Sequence, residues 1–334
     1  MNKLIVSPAP HVHSSDSVRR NMLNVIIALV PAYIVSLVAF GWGVLITTAI
    51  SITACIVFEY LISRYLLHSQ PTIGDLSAVL TGLLLAFNLP STLPWWIVVI
   101  GAFAAIAIGK MAFGGLGQNI FNPALVGRVF LLIAFPAQMT TWPKPMGFAG
   151  SYVDAVTAPT PLAAMKEALK THNASVLDSL PDFWDMATGF VGGSFGEVSA
   201  IALLAGGIYL LCTRTITWHI PVSIILTVGV IASLMYVCGV EGAVAPHYHL
   251  VAGGLMLGAI FMATDYVTSP MTPLGQLIYG VGIGIIVMVI RIWGAYPEGM
   301  SFAILIMNGV TPLLNMYIRP KRFGEKKAEQ APKK

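Results

Sequence analysis

Charge is scarce in this chain: of 334 residues, 10% are Asp, Glu, Lys or Arg, whereas 57% are hydrophobic. Together with a mean hydropathy of +0.82, this excludes a soluble globular domain, which carries about a quarter charged residues. Cysteine is scarcer still. Cys55, Cys212 and Cys238 stand alone in or beside apolar runs, so no CxxC pair points to zinc, a disulfide or an iron–sulfur cluster held by this chain alone. Each reads as a small packing residue. No small-residue cleavage site accompanies the first apolar run, which follows a polar stretch with His11, His13, Asp16, Arg19 and Arg20, so no removable signal peptide is expected. No nucleotide fold, metal site or nucleic-acid partner is expected either.

What is present is a succession of apolar runs, each near the roughly 20 residues that cross a bilayer as a helix. They are too long and continuous for barrel strands, and only helices or closed barrels satisfy their backbone groups in lipid. The chain is expected to be an all-α integral membrane protein with about ten transmembrane helices, near 22–39, 43–66, 75–87, 93–110, 120–135, 198–213, 217–238, 250–265, 274–293 and 298–317. With the N-terminus inside, Arg64, Lys110, Arg214 and the basic tail Arg319, Lys321, Arg322, Lys326 and Lys327 all fall on the cytoplasmic side, as short basic loops favour. Arg291 is the exception. The expected organisation is a cytoplasmic segment 1–21, a first membrane repeat 22–135, an extracytoplasmic loop region 136–197, a second repeat 198–317 and a cytoplasmic tail 318–334.

The two halves resemble each other. Leu83 to Pro90, a helix ending at Lys110, then Gly114-Gly115-Leu116-Gly117 and another helix, has a counterpart. That counterpart is Leu255 to Thr264, Ser269-Pro270, a helix ending at Arg291, then Gly294, Pro297, Gly299 and the last helix. Five helices per half turn the second copy upside down, which reconciles Lys110 with Arg291. Inverted repeats with interrupted helices place sites near the midplane, where broken ends expose polar backbone.

Polar motifs cluster at these breaks. Gly114 to Asn119, followed by Asn122-Pro123, could offer backbone N–H groups and amides to a ring or phosphate. No strand precedes it and its spacing is wrong for a dinucleotide fingerprint, so a packing turn is the competing reading. Gly192 to Ser199 could cap the sixth helix through Ser194, or bring Glu197 to a cofactor edge. Ionisable residues within spans point by default to function: Arg128 and Asp265 as cofactor contacts or ion-pathway groups, Glu59 as an ion-pathway group or as a structural partner of Arg64 or a neighbouring subunit. His247 and His249 read as solvated loop histidines beside Pro246, and His219 as an interfacial residue beside Trp218.

The segment Asp154-Ala155-Val156-Thr157-Ala158-Pro159-Thr160-Pro161-Leu162 resembles a site at which a flavin transferase esterifies FMN to a threonine. Taken with Ser7 to His11, Gly109-Lys110 through Arg128, Gly193 to Ser199, and Phe261-Met262-Ala263-Thr264-Asp265 through Pro270, it makes the chain similar over most of its length to one family. That family comprises the D subunit of the Rnf complex and the B subunit of the sodium-pumping NADH:quinone reductase. Its attachment motif runs roughly Asp-Gly-x-Ser/Thr-Gly/Ser-Ala-Thr. Asp154, Thr157 and the acceptor Thr160 match it, whereas Ala155, Ala158 and Pro159 depart.

The resemblance implies a redox-driven translocase subunit of the bacterial inner membrane, in which covalent FMN on Thr160 relays electrons and couples them to Na+ or H+ transport. Asp154, Thr157, Arg128, Asn119, Ser194 and Glu197 would hold the FMN, Asp265 and Glu59 would serve an ion pathway, and riboflavin could sit at the helix breaks. No residue beyond the flavin is expected to be catalytic. Implied partners are the A, B, C, E and G subunits of the Rnf complex, membrane lipid and the flavin transferase. Alternatives are a quinone-reducing subunit, a small-solute channel or transporter without flavin, and a purely structural membrane subunit.

Overall fold

The computed structural model describes residues 16–68, 72–149, 160–171, 176–177, 180–197 and 199–319. Asp154, Thr157, Pro159, His11, His13 and the lysines of the tail lie outside them.

Among the described residues every regular element is helical, and six helices are long and apolar enough to cross a membrane. Two form an initial hairpin: α1 (Val18–Phe40) and α2 (Trp42–Leu61), the latter extended by a π turn to Leu66. Between them Gly41 sits at φ 62°, where a β-carbon would also strike the backbone at Gly147. α3 (Ser77–Phe87) has 11 residues, about 16 Å at 1.5 Å per residue, half the apolar thickness. α4 (Trp95–Phe103) continues through a π turn to Ile108, and α5 (Pro123–Ala134) completes the first half. Asn122 caps α5 through its side-chain oxygen, with Pro123 in the first turn, where its missing N–H costs nothing.

Three short helices follow, α6 (Pro136–Met139), α7 (Pro161–Thr171) and α8 (Phe183–Thr188). The second half contains α9 (Ala200–Cys212), α10 (His219–Val237), α11 (Pro246–Val251), α12 (Leu255–Leu257, continued by a π turn to Met262), α13 (Pro273–Trp293) and α14 (Met300–Tyr317). The helix expected over 250–265 is thus two short pieces. Their joint is Gly253, at φ 68°, where a β-carbon would collide with Glu298 and with Leu162 of α7.

Hydrogen bonds between helix ends fix the directions. Asn24 near the start of α1 donates to Thr215 just beyond α9 (3.2 Å), Thr217 before α10 meets Gln276 at the start of α13 (2.8 Å), and Met271 N donates to Asn315 near the end of α14 (3.1 Å). Arg19, Arg20, Arg214 and Arg319 therefore share one face. α2 and α4 run parallel, with Phe58 on Phe103 (5.3 Å) and Gly43 on Ser91. α10 and α13 also run parallel but in the opposite direction, packed through Gly280 and Gly284 against Ser223 and Thr227. Close glycine contacts of this kind let helices associate in lipid, where burial of apolar surface supplies no drive. The second half is the first inverted.

Candidate functional site: two polar cavities at the helix breaks

Each short helix begins at a buried cation–carboxylate pair. At the start of α3, Lys110 Nζ donates to Glu59 Oε2 (2.5 Å) and to Ser77 Oγ (2.8 Å), while Thr72 donates to Glu59 Oε1 (2.8 Å). Lys110 and Glu59 are 1% and 0% exposed. Glu59's partner is consequently Lys110, not the nearby Arg64, and Lys110 is not a loop charge. At the start of α12, Glu298 accepts from Gly254 N (3.1 Å) and Met300 N (3.1 Å) and lies 3.6 Å from Arg291. Arg291 donates to the carbonyls of His249 (2.7 Å) and Ala252 (2.9 Å). The residue that looked misplaced as a loop cation is a buried clamp on the broken helix.

The far ends of α3 and α12 are held by the opposite half. Gly196 N donates to Phe87 O (3.0 Å), closing α3, and Asn122 Nδ2 donates to Met262 O (3.1 Å), closing the π turn after α12. Arg128 on α5 donates to Asn88 (2.5 Å) and lies 3.3 Å from Glu197. Ser36 of α1 donates to Phe195 O. The cap of α9 is Ser199, whose oxygen accepts from Ala202 N (3.2 Å), so Ser194 is not the capping residue expected from the sequence.

Two cavities flank this framework at opposite ends of α9. One, about 80 Å³, lies towards the arginine-bearing face and is lined by Asn21, Lys110, Asn119, Asn122, Thr215 and Asp265. Asp265 accepts from Thr268 (3.2 Å). Glu59 sits behind Lys110. The other cavity lies at the opposite face and is lined by Arg128, Trp142, Thr160, Ser194, Glu197 and Glu298. The structure thus brings Thr160, Arg128, Ser194 and Glu197 together and places Asn119 and Asp265 at the far end of the protein.

Thr160 immediately precedes α7, half-buried, and its hydroxyl oxygen accepts from Ala163 N (3.2 Å), with Pro161 in the first turn. Lys166 docks α7 on the end of α13 by donating to Tyr296 O (2.5 Å) and Ile290 O (3.3 Å). Burial, with Lys170 nearby, draws the Lys166 ammonium below its ordinary range. Burial likewise pushes the Glu197 carboxyl upward against the pull of Arg128, and Glu298 adds to the rise.

Beside the cavity, His249 lies in α11 rather than in a solvated loop, and is 3% exposed. Burial and the adjacent Arg291 bring its pKa down to about 4. Its sequence neighbour His247 packs edge-on against Phe183 at 5.2 Å. Trp142 and Glu298 in the cavity wall carry no motif. The available signal for Glu298 was its place in Pro297-Glu298-Gly299, just after the helix that ends at Arg291.

Two inverted halves, each with a short interrupted helix anchored by a buried ion pair and a polar cavity at its break, define a multi-pass membrane protein of the transporter-like class. The chain belongs to the NQR2, RnfD, RnfE family, whose pattern matches residues 5–324. It is 44% identical to the D subunit of the Na+-translocating ferredoxin:NAD+ oxidoreductase complex of Acetobacterium woodii, over 99% of this chain and 98% of that relative. The D subunit of the proton-translocating ferredoxin:NAD+ oxidoreductase complex of Clostridium ljungdahlii is 43% identical, over 98% of each. The D subunit of the ion-translocating oxidoreductase complex of Erwinia tasmaniensis is 39% identical, over 97% and 99%.

Proposed function

We propose that this chain is the D subunit of an Rnf-type ion-translocating ferredoxin:NAD+ oxidoreductase, relaying electrons through FMN esterified to Thr160. One observation carries the reading: the Thr160 hydroxyl stands at the N-terminus of an 11-residue helix, at the edge of a cavity that also holds the buried Arg128. The helix dipole favours a phosphate's negative charge at such a terminus, and a guanidinium adds a fixed positive charge. A flavin bound there would supply one-electron chemistry. The chain would supply the ester oxygen, the helix terminus, and charges that tune the flavin's potential.

The arginine-bearing face is assigned to the cytoplasm by the positive-inside rule, which puts both termini there and Thr160 on the extracytoplasmic side of the bacterial inner membrane. Ferredoxin and NAD+ chemistry falls to the other Rnf subunits, and the FMN is loaded by a flavin transferase. The coupling ion is not decided by likeness, since a Na+-translocating and a proton-translocating relative stand at 44% and 43% identity. A second, non-covalent flavin, riboflavin, is assigned to the cytoplasm-facing helix break on the strength of the buried Asn119 Oδ1, which has no hydrogen-bond partner among the described residues, beside Asp265; seating it widens the cavity beyond its present volume of about 80 Å³.

The test is mass spectrometry of the peptide spanning residues 145–166, from cells with and without the transferase. The added mass of FMN should appear only with the enzyme and vanish in Thr160→Ala. Its persistence in that variant would move the attachment elsewhere, with Thr157 the next candidate. A protein without covalent flavin in a competent host would favour a solute channel instead. Acid extraction should separately release a flavin without phosphate if riboflavin is present.

A further inference from the structure

The Thr160 cavity has two lobes, which share Arg128, Trp142, Thr160, Pro297 and Glu298. The smaller, about 60 Å³, is bounded by the Gly192–Ser194 turn and Glu197. The larger, about 210 Å³, extends between Leu132, Met139, Tyr296, Ser301 and Phe302. An apolar protein cavity of about 150 Å³ accepts one benzene ring, so the larger lobe, unlike the smaller, admits an aromatic ring.

Its lining is suited to such a ring. Tyr296 and Phe302 stack with centroids 5.5 Å apart and planes 20° from parallel, and Trp142 adds a third aromatic wall. A flat aromatic ligand gains from offset or edge contacts with such rings. One polar side chain in the lobe's wall has no partner: Ser301 is 4% exposed, and its Oγ makes no hydrogen bond among the described residues. Buried hydroxyls are almost always hydrogen-bonded, because desolvation without a partner is unfavourable. A hydroxyl can donate or accept, which matches a ring edge that presents both carbonyl oxygens and nitrogens.

We propose that the larger lobe seats the isoalloxazine ring of the flavin attached at Thr160, among Trp142, Tyr296 and Phe302, with Ser301 Oγ as the hydrogen-bond partner of its polar edge. This rests on the attachment reading above and assigns residues that reading leaves open. It also separates the ring from the Ser194–Glu197 turn, leaving Glu298, which both lobes share, as the carboxylate in its wall. Electron density at the ring edge rises on reduction, so a hydroxyl donating there stabilises the reduced form and raises the potential.

The experiment uses the complex purified from a host with the transferase, with covalent FMN on the 145–166 peptide verified by mass in every variant. Ser301→Ala should move the midpoint potential of the covalent flavin to a more negative value and shift its absorption band, and Ser301→Thr should restore both. Tyr296→Leu should raise the flavin's fluorescence by removing a stacked quencher. Ser194→Ala, at the wall of the smaller lobe, should change potential and spectra less than Ser301→Ala. Covalent FMN present with Ser301→Ala and Tyr296→Leu both superimposable on wild type would overturn the ring placement alone, as would a shift confined to Ser194→Ala. Wild-type peptide without FMN would overturn the attachment itself.

Discussion

The two short helices are built alike at their starts and differ in how tightly those starts are sealed. α3 begins at Lys110–Glu59, a 2.5 Å pair at 1% and 0% exposure with both carboxylate oxygens satisfied. α12 begins at Arg291–Glu298, 3.6 Å apart and 2% and 13% exposed, where Glu298 directs its oxygens to Gly254 N and Met300 N and borders the Thr160 cavity. The first arrangement leaves no room for a third charge and acts as a bolt. The second is held chiefly by backbone groups, so its carboxylate can respond to a charged group arriving in the cavity without unfastening the helix. The two inverted halves thus carry one locked break and one responsive break.

The sharpest way to break that contrast is to remove Lys110. Lys110→Met leaves Glu59 buried with only Thr72 beside it, and loss of one partner of a buried pair costs about 3–5 kcal/mol. Thermal unfolding in detergent, followed by fluorescence-detected size exclusion, should show the largest loss of any variant considered. Adding Glu59→Gln should recover much of it, because the orphan charge is removed. A double variant as unstable as Lys110→Met would mean that the ammonium matters through Ser77 rather than through Glu59.

Arg291→Met should cost less, about 1–3 kcal/mol, the penalty for leaving hydrogen-bonding groups unpaired, since Glu298 keeps its two backbone donors. Equal losses for Arg291→Met and Lys110→Met would remove the distinction between the two breaks. His249 sharpens the comparison through pH. Its folded-state pKa is about 4 against an ordinary value of 6.5, so between those values the unfolded chain binds a proton that the folded chain refuses. Stability should therefore fall as the pH drops from 6.5 towards 4. His249→Gln should flatten that slope relative to wild type, measured as melting temperature at stepped pH; parallel profiles would remove His249 from the acid response.

The long helices were legible because their hydropathy is continuous over enough residues to cross a bilayer. The inverted arrangement was legible because Lys110 and Arg291 end corresponding helices. The break within 250–265 was not anticipated, although Gly253-Gly254 is a visible signal: apolar composition continues across it, and only the collision of a β-carbon with Glu298 and Leu162 explains the glycine. For Glu59 the sequence offers Arg64, five residues on, or a neighbouring subunit as a structural partner, besides an ion-pathway role, whereas its partner Lys110 lies 51 residues away and is brought close by tertiary packing. For the cavity, Thr160, Arg128, Ser194 and Glu197 could be named from local motifs. Trp142 and Ser301 could not, since an isolated aromatic in a loop and a serine in an apolar helix acquire meaning only when α7, α13 and α14 converge.

The smallest expected effect concerns how α7 is moored beside the responsive break. Lys166 donates to Ile290 O, directly before Arg291 in α13, and to Tyr296 O just beyond the end of that helix. Lys166→Met frees two carbonyls but also removes a cation that burial already disfavours, so the terms oppose each other and the net loss should be about 1 kcal/mol, near the net worth of one hydrogen bond. Hydrogen exchange should register it as faster exchange confined to the amides of 163–171, with α3 and α4 unchanged. Acceleration that spread to the Lys110–Glu59 end would show the two breaks to be one cooperative unit; no change in α7 would show that Leu162 and Met165, packed in the small apolar cluster with Met186, Val244 and Ala252, moor the helix without the ammonium.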